Sequence, residues 1–109
     1  MKTTTSPVLI TFALVCFALV QNAQAVSPPP DGGYPGGNTA EGQNALLSLT
    51  SGTYNTGNGY LSLQNNITGN FNTAIGAGAL LNNTADQNTA TGAAALLGNT
   101  TGSNNTANG

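Results

Sequence analysis

The sequence predicts an all-β protein, a β-solenoid with coils of about 17 residues behind a secretory signal peptide. Three observations predict this fold class: an apolar segment near the N-terminus, a repeat of nearly constant spacing, and a nearly uncharged composition. Only 4% of the 109 residues are charged and His is absent, whereas about 25% of an ordinary globular domain is charged. This composition argues against nucleic-acid binding, which needs clustered Lys and Arg, and against most acid–base catalysis.

The N-terminal segment has the three parts of a secretory signal peptide. Lys2 precedes the apolar run VLITFALVCFALV at residues 8–20, and Ala23 and Ala25 form an A-x-A cleavage site. The run has 13 residues, fewer than the roughly 20 that a transmembrane helix needs. We therefore assign residues 1–25 to a signal peptide and expect a protein that is secreted or held at the cell surface, without a membrane span after cleavage.

The chain expected after cleavage, residues 26–109, contains no Cys, Lys, Arg, His, Trp or Met. A disulfide framework and a Cys/His zinc site are therefore excluded. Half of its 84 residues are Asn, Gly or Thr, a composition typical of low-complexity segments. Residues 26–37 hold four of the five prolines and four glycines, which predicts a linker.

Residues 38–109 repeat with a nearly constant period, because the Asn-Thr pairs that begin at residues 38, 55, 72, 88 and 105 are spaced by 17, 17, 16 and 17 residues. The fifth position of each unit is Gly, and the ninth is Leu in every complete unit. A fixed period indicates a repeat architecture and outweighs local propensity. We therefore expect four full units and a truncated fifth. The structural repeat residues are Asn38, Asn55, Asn72, Asn88 and Asn105; Thr39, Thr56, Thr73, Thr89 and Thr106; Gly42, Gly59, Gly76, Gly92 and Gly109; and Leu46, Leu63, Leu80 and Leu96.

Each unit is interpreted as one coil. The Leu at position nine and the small residue at position three stack inward into a narrow core, and the Gly positions mark corners where φ is positive or backbones come close. A second Gly column lies at position fifteen, where the short third unit has Asp86. Stacked Asn and Thr side chains are expected to hydrogen-bond as ladders. Seventeen extended residues span at most about 56–61 Å, which suits a flattened two-layer coil with two tight corners.

Two other architectures remain open. The segment AAALLG at 93–98 resembles a short helix ended by Gly98, although a helix of one or two turns is marginal without packing. The composition also permits irregular or disordered repeats. The second unit contains GYLSLQNNIT, which alternates like a strand and favours the solenoid.

The segments NTAIGAGAL at 72–80 and NTATGAAAL at 88–96 resemble the head repeats of trimeric autotransporter adhesins, the YadA-like family, and similar units occur in phage tail-fibre repeats. The resemblance covers residues 38–109. It implies a left-handed parallel β-roll that forms a homotrimer at the bacterial surface and binds host or environmental surfaces. The period is longer than is typical of those heads, and no stalk, neck or membrane anchor follows. We therefore expect a fragment of a longer repeat protein.

Catalytic residues, cofactors and metals are not expected. Asp31, Glu41 and Asp86 occupy unrelated positions, and no Ser or Thr has a His or Lys base. The protein is therefore predicted to be an exported adhesin-like structural repeat protein and not an enzyme. One alternative is an ice-binding or water-organising Thr array, although only Thr89 and Thr91 supply a pair on one strand. The other is a truncated fragment without function.

Two smaller features complete the expectations. Tyr54 and Phe71 each end a unit, so their rings are expected to stack. Acceptor sequences for N-glycosylation, Asn-x-Ser/Thr, occur four times. In a chain so rich in Asn and Thr they are expected by chance, and they matter only in a eukaryotic secretory pathway. Their asparagines are Asn66, Asn82, Asn99 and Asn104.

Overall fold

The computed structural model describes residues 33–109, and these residues form a β-solenoid. Each coil contributes one three-residue strand, and all five strands pair in parallel in sequence order. The strands are β1 (Thr39–Glu41), β2 (Thr56–Asn58), β3 (Thr73–Ile75), β4 (Thr89–Thr91) and β5 (Thr106–Asn108). The described part of the chain contains no helix. The predicted all-β solenoid is therefore confirmed, and the helical alternative is wrong for these residues.

The predicted signal peptide lies outside the described residues, together with its cleavage residues Ala23 and Ala25. Residues 26–32 of the predicted linker lie outside them too. Between residues 33 and 109, no helix has the length and hydropathy needed to cross a bilayer.

The strand register follows the Asn-Thr spacing. Thr39 pairs with Thr56, Thr56 with Thr73, Thr73 with Thr89, and Thr89 with Thr106. The backbone nitrogen of each Thr in β1 to β4 donates to the carbonyl of the Asn that begins the next coil, at 2.8 Å. The repeat period is therefore the length of one coil.

The core is narrow because each coil buries only a few small or branched side chains. The central residue of each strand from β1 to β4 is buried, and its neighbours on both sides are at least partly exposed, as alternation across a strand requires. The predicted inward stacking of Leu and Ala is confirmed, although Leu96 is only half-buried. The buried apolar residues are Ala40, Leu46, Leu63, Ala74, Ala79, Leu80, Ala90 and Ala95.

The leucine-rich half of each coil consists of consecutive turns, so the expectation of 17 extended residues per coil is wrong for this half. In the first coil, Ala45 N donates to Gly42 O at 3.2 Å and Leu49 N donates to Leu46 O at 3.2 Å. Asn44 and Leu46 have φ values of 62° and 53°, which are incompatible with an extended strand. The same left-handed φ recurs at these two positions in every complete coil.

A left-handed φ costs a non-glycine residue roughly 1–2 kcal/mol. The Leu at the ninth position nevertheless adopts it in every complete coil. Leu63 and Leu80 are fully buried there, and burying such a side chain contributes about 1.5–3 kcal/mol. Their backbone nitrogens also bond the next coil, Leu63 N to Ala79 O and Leu80 N to Ala95 O, both at 3.0 Å. Burial and coil-to-coil bonding together offset the unfavourable backbone conformation.

The last five residues of the predicted linker, 33–37, fold back onto the first coil. Tyr34 N donates to Asn38 O at 2.8 Å, which forms an antiparallel bridge. Tyr54 N donates to Gly36 O at 2.9 Å, and Asn38 Nδ2 donates to Pro35 O at 2.7 Å. This segment therefore covers part of the outer edge of the first coil, as exposed sheet edges require.

Candidate functional site

The column of threonines that begins the strands lies on the outer face of the sheet. Its hydroxyl groups make no hydrogen bond within residues 33–109, so the predicted Thr ladder is wrong. Neighbouring strands lie about 4.8 Å apart, which is beyond the reach of a hydroxyl-to-hydroxyl hydrogen bond of about 2.7–2.8 Å between short side chains held in register. The next outward column is mixed, and its members are Glu41, Asn58, Ile75, Thr91 and Asn108. Only β4 therefore presents two threonines on this face.

The asparagines that begin the coils form a buried ladder. Asn38 Oδ1 accepts hydrogen bonds from Asn55 N at 2.9 Å and Asn55 Nδ2 at 3.1 Å. Asn55 Oδ1 accepts the same pair from Asn72. Asn88 N and Asn105 N continue the ladder at 2.9 Å. The predicted Asn ladder is therefore confirmed, and it binds each coil to the next.

The same side chains also close their own coils. Asn38 Nδ2 donates to Gly52 O at 2.9 Å, and Asn55 Nδ2 donates to Gly69 O at 2.8 Å. Each of these bonds crosses from the first to the fifteenth position of one coil. A single buried amide thus satisfies polar groups both within its coil and between coils, as buried polar groups require.

A second asparagine column, at the twelfth position, was not predicted. Asn83 Oδ1 accepts hydrogen bonds from Asn88 Nδ2 at 3.0 Å and from Asn99 Nδ2 at 2.8 Å, so it joins the two columns. Asn66 occupies this position in the second coil and is fully buried. The sequence signal is an Asn at this position in three of the four complete units, with Leu49 in the first.

The third coil corrects one assignment made from the sequence. Ala85, and not Asp86, occupies the fifteenth position, because Asn72 Nδ2 donates to Ala85 O at 2.8 Å as Asn55 Nδ2 does to Gly69 O. The residue missing from this coil therefore lies between Thr84 and Ala85. Placing the gap at the end of the unit assigns each of residues 85–87 to a position one lower than the position it occupies.

Asp86 belongs instead to an exposed polar column at the sixteenth position. Its Oδ1 accepts a hydrogen bond from Asn70 N at 2.8 Å. Asn70 Oδ1 in turn accepts from Thr53 N at 2.9 Å and Thr53 Oγ1 at 3.0 Å. This column adds a third set of coil-to-coil bonds on the outside of the rod.

Ser62 interrupts the buried small-residue column at the eighth position, which is Ala in the other complete coils. It is fully buried and its Oγ has no hydrogen-bond partner within residues 33–109. A Cβ added at Gly57 would lie 3.1 Å from that Oγ. The hydroxyl therefore fills the space that Gly57 leaves where β1, β3 and β4 have Ala.

Replacing Ser62 with Ala should raise the free energy of unfolding by about 1 kcal/mol, because it removes an unsatisfied buried hydroxyl. Urea unfolding followed by far-UV circular dichroism measures the change. Gly57→Ala should destabilise the parent chain and should be better tolerated in the Ser62→Ala background. Additive effects of the two substitutions would contradict the proposed packing relation between them.

Apolar side chains also lie on the outside of the rod. The rings of Tyr54 and Phe71 stack with their centroids 5.1 Å apart and their planes 16° apart, which confirms the predicted stacking. They are 61% and 56% exposed, and Leu47 is 60% exposed. Glu41 and Asp86 are the only charged side chains in residues 33–109. The outer surface is therefore nearly uncharged and carries apolar groups in contact with solvent.

A cavity of about 400 Å³ opens at the first coil, beside the segment that folds back. It is lined mainly by apolar groups, among them Leu46, Leu47, Leu49 and the Pro35 ring. It corresponds to the uncovered end of the core, since Leu46 is 7% exposed while Leu63 is fully buried. Residues 33–109 contain no group of three or more His, Cys, Asp or Glu side chains that could hold a metal ion.

No family model matches the chain, and neither a curated protein nor a solved structure matches it.

Proposed function

We propose that the chain is an exported, surface-associated repeat protein with a structural and adhesive role, and that it assembles as a homotrimer through its repeats. The observation that carries the proposal is the set of large exposed apolar side chains, among them Leu47, Tyr54 and Phe71, on the outside of a nearly uncharged rod. Contiguous exposed apolar patches mark interaction surfaces in soluble proteins. The resemblance of NTAIGAGAL and NTATGAAAL to adhesin head repeats supports the same role.

The repeat geometry suits adhesion by many weak contacts. Successive coils present equivalent positions in register, as the paired strands show. A surface that binds the outward-facing Thr of one coil weakly therefore meets the same side chain again at each further coil of the rod. Linked weak contacts raise the overall affinity well above that of one contact.

The thin core gives a second argument for assembly. The described coils bury eight apolar side chains below the surface, five of them Ala. Ordering the backbone costs about 1–2 kcal/mol per residue, so a core this small leaves little net stability for one rod. Burial of the exposed apolar side chains between copies adds to the stability of each chain.

The test is sedimentation equilibrium of residues 26–109 at micromolar concentration. We expect a mass three times that of one chain. Changing Tyr54→Asn and Phe71→Asn together should shift the measured mass from that of a trimer towards that of one chain. Asn suits these positions because Asn104 occupies the same column with φ of 63°.

Asn104→Gln is the matched control, since it exchanges one polar side chain for another in the same column and should leave the trimer intact. A parent chain that is a folded monomer at micromolar concentration would contradict the proposed assembly.

A further inference from the structure

We propose that the fold sorts the four N-glycosylation acceptor sequences into two classes: Asn82 and Asn104 accept a glycan, whereas at Asn66 and Asn99 glycosylation and folding exclude each other. This inference concerns modification and does not depend on the proposed adhesive role. It rests on how the solenoid uses the amide nitrogen of each asparagine.

Asn66 has no room for a sugar. Its side chain is fully buried, and its Nδ2 donates to Gly69 O at 3.0 Å. A Cβ added at Gly69 would collide with Asn66 Oδ1, which shows how closely the second coil encloses this amide. A glycan on Nδ2 would have to displace the coil.

Asn99 is incompatible with a glycan for a different reason, because both of its amide hydrogens are donated in hydrogen bonds. Nδ2 donates to Asn83 Oδ1 and to Gly102 O, each at 2.8 Å. N-glycosylation leaves a single hydrogen on this nitrogen. One of the two bonds, which join the second asparagine column and close the fourth coil, must therefore be lost.

Asn104 is exposed and its side chain makes no hydrogen bond within residues 33–109. Asn82 lies at the surface, where its Nδ2 donates once, to Leu97 O at 3.1 Å, and its Oδ1 accepts from Asn65 Nδ2 at 3.0 Å. A glycan on Asn82 leaves one hydrogen on Nδ2, which is enough for its single donated bond, and leaves Oδ1 able to accept. These two positions therefore carry a glycan without loss of the ladders.

The co-substrate of the modification is an oligosaccharide linked to a polyprenyl diphosphate. A bond forms between Nδ2 and C1 of the first sugar, the bond from C1 to the diphosphate oxygen breaks, and Nδ2 gives up one proton while the polyprenyl diphosphate leaves. Transfer takes place on the chain before its coils stack, so burial in the folded state does not protect Asn66. The fold therefore suits an export route that leaves Asn66 and Asn99 unmodified.

The test uses four variants of the full chain, each keeping one acceptor sequence. The other sequences are removed at their threonines, by three of the changes Thr68→Ala, Thr84→Ala, Thr101→Ala and Thr106→Ala, so every Asn stays. Each variant is expressed in a eukaryotic secretory cell, and its glycosylated fraction is isolated on a lectin, including any fraction retained in the cell. Resistance to thermolysin measures folding, because residues 26–109 offer no Lys or Arg to trypsin.

The glycosylated Asn82-only and Asn104-only chains should resist thermolysin as well as their unglycosylated forms. The glycosylated Asn66-only and Asn99-only chains should be digested at least tenfold faster than their unglycosylated forms. The same four variants made in a bacterium without the transferase are the control and should all be resistant. A resistant glycosylated Asn66-only or Asn99-only chain, or a sensitive glycosylated Asn104-only chain, would overturn the assignment.

A second measurement does not depend on how efficiently the cell transfers the glycan. Residues 26–109 contain no Cys, so Asn66→Cys and Asn104→Cys each introduce one thiol that can be labelled in denaturant with a maleimide-linked sugar. The labelled and unlabelled forms of Asn104→Cys should refold equally. Labelling should prevent refolding of Asn66→Cys, and efficient refolding of its labelled form would overturn the proposal.

Discussion

Replacing Asn72 with Ala is expected to lower the free energy of unfolding by about 2–4 kcal/mol, because an unsatisfied buried donor costs about 1–3 kcal/mol and the lost volume adds to it. Asn72 is fully buried. Its Oδ1 accepts from Asn88 N at 2.9 Å, and its Nδ2 donates to Asn55 Oδ1 at 3.1 Å and Ala85 O at 2.8 Å. The substitution therefore leaves the Asn88 N–H without its hydrogen-bond acceptor and weakens contacts on both sides of the third coil.

Urea unfolding followed by circular dichroism measures this loss. Asn58→Ala is the matched control, because Asn58 is exposed and its side chain makes no hydrogen bond within residues 33–109. Its effect should stay within about 0.5 kcal/mol. Equal effects of the two substitutions would show that the buried ladder does not contribute to stability as described.

Replacing Gly76 with Ala is the second substitution with a large expected effect. Gly76 has φ of +131°, and a Cβ there would lie 2.6 Å from both the carbonyl carbon and the oxygen of Gly92 in the next coil. Both obstacles are backbone atoms, so no side-chain rotation relieves the clash. We expect a loss of about 2–6 kcal/mol, since the strained backbone costs about 1–3 kcal/mol and overpacking costs a further 1–3 kcal/mol.

Gly98→Ala is the matched control for this substitution. No atom lies within 4 Å of a Cβ built at Gly98, and its φ is outside the left-handed region. Because Ala restricts the unfolded chain more than Gly, we expect a gain of about 0.4–1 kcal/mol. Thermal unfolding of both variants compares them directly. If Gly76→Ala proved as stable as Gly98→Ala, the close approach of the two corner glycines would be contradicted.

The strand half of the coil could be predicted because its signals have a single physical meaning. Asn-Thr at a fixed spacing predicts which residues pair, and Thr39 does pair with Thr56. Gly at the fifth position predicts a positive φ, and Gly42 and Gly76 have φ of +114° and +131°. Tyr54 and Phe71 occupy the same position of adjacent units, so their stacking follows from the period alone.

The turn half could not be predicted, because its residue types contradict its conformation. Leu61, Leu63 and Ala94 have φ between 52° and 63°, a region that such residues rarely adopt in isolation. Stacking against neighbouring coils selects it, and that influence is not visible in local propensity. The pattern of Ala and Leu therefore looked compatible with a short helix.

The asparagine columns show a different limit of sequence reasoning. The column of Asn38 and Asn55 is marked by the Thr that follows each Asn. At the twelfth position this marker is irregular, since Asn66 is followed by Ile67 and Asn83 by Thr84. In a chain with so many asparagines their common position therefore does not stand out. The hydrogen bond from Asn72 Nδ2 to Ala85 O shows that the residue missing from the third coil lies before Ala85. The sequence alone does not show this, because Ala85 and Asp86 are both acceptable residue types at the fifteenth position.

The asparagine ladder has a direction, and the direction bears on how the rod forms. The side-chain oxygen of Asn38 accepts a hydrogen bond from the backbone amide of Asn55 in the next coil, and the side-chain oxygen of Asn55 accepts one from the amide of Asn72. Each finished coil is thus a template that offers its successor a ready acceptor. A chain synthesised from its N-terminus can add one coil at a time, at the cost of ordering only about one repeat before the new contacts form. Assembly by such short steps avoids the long loop closures that slow most β proteins.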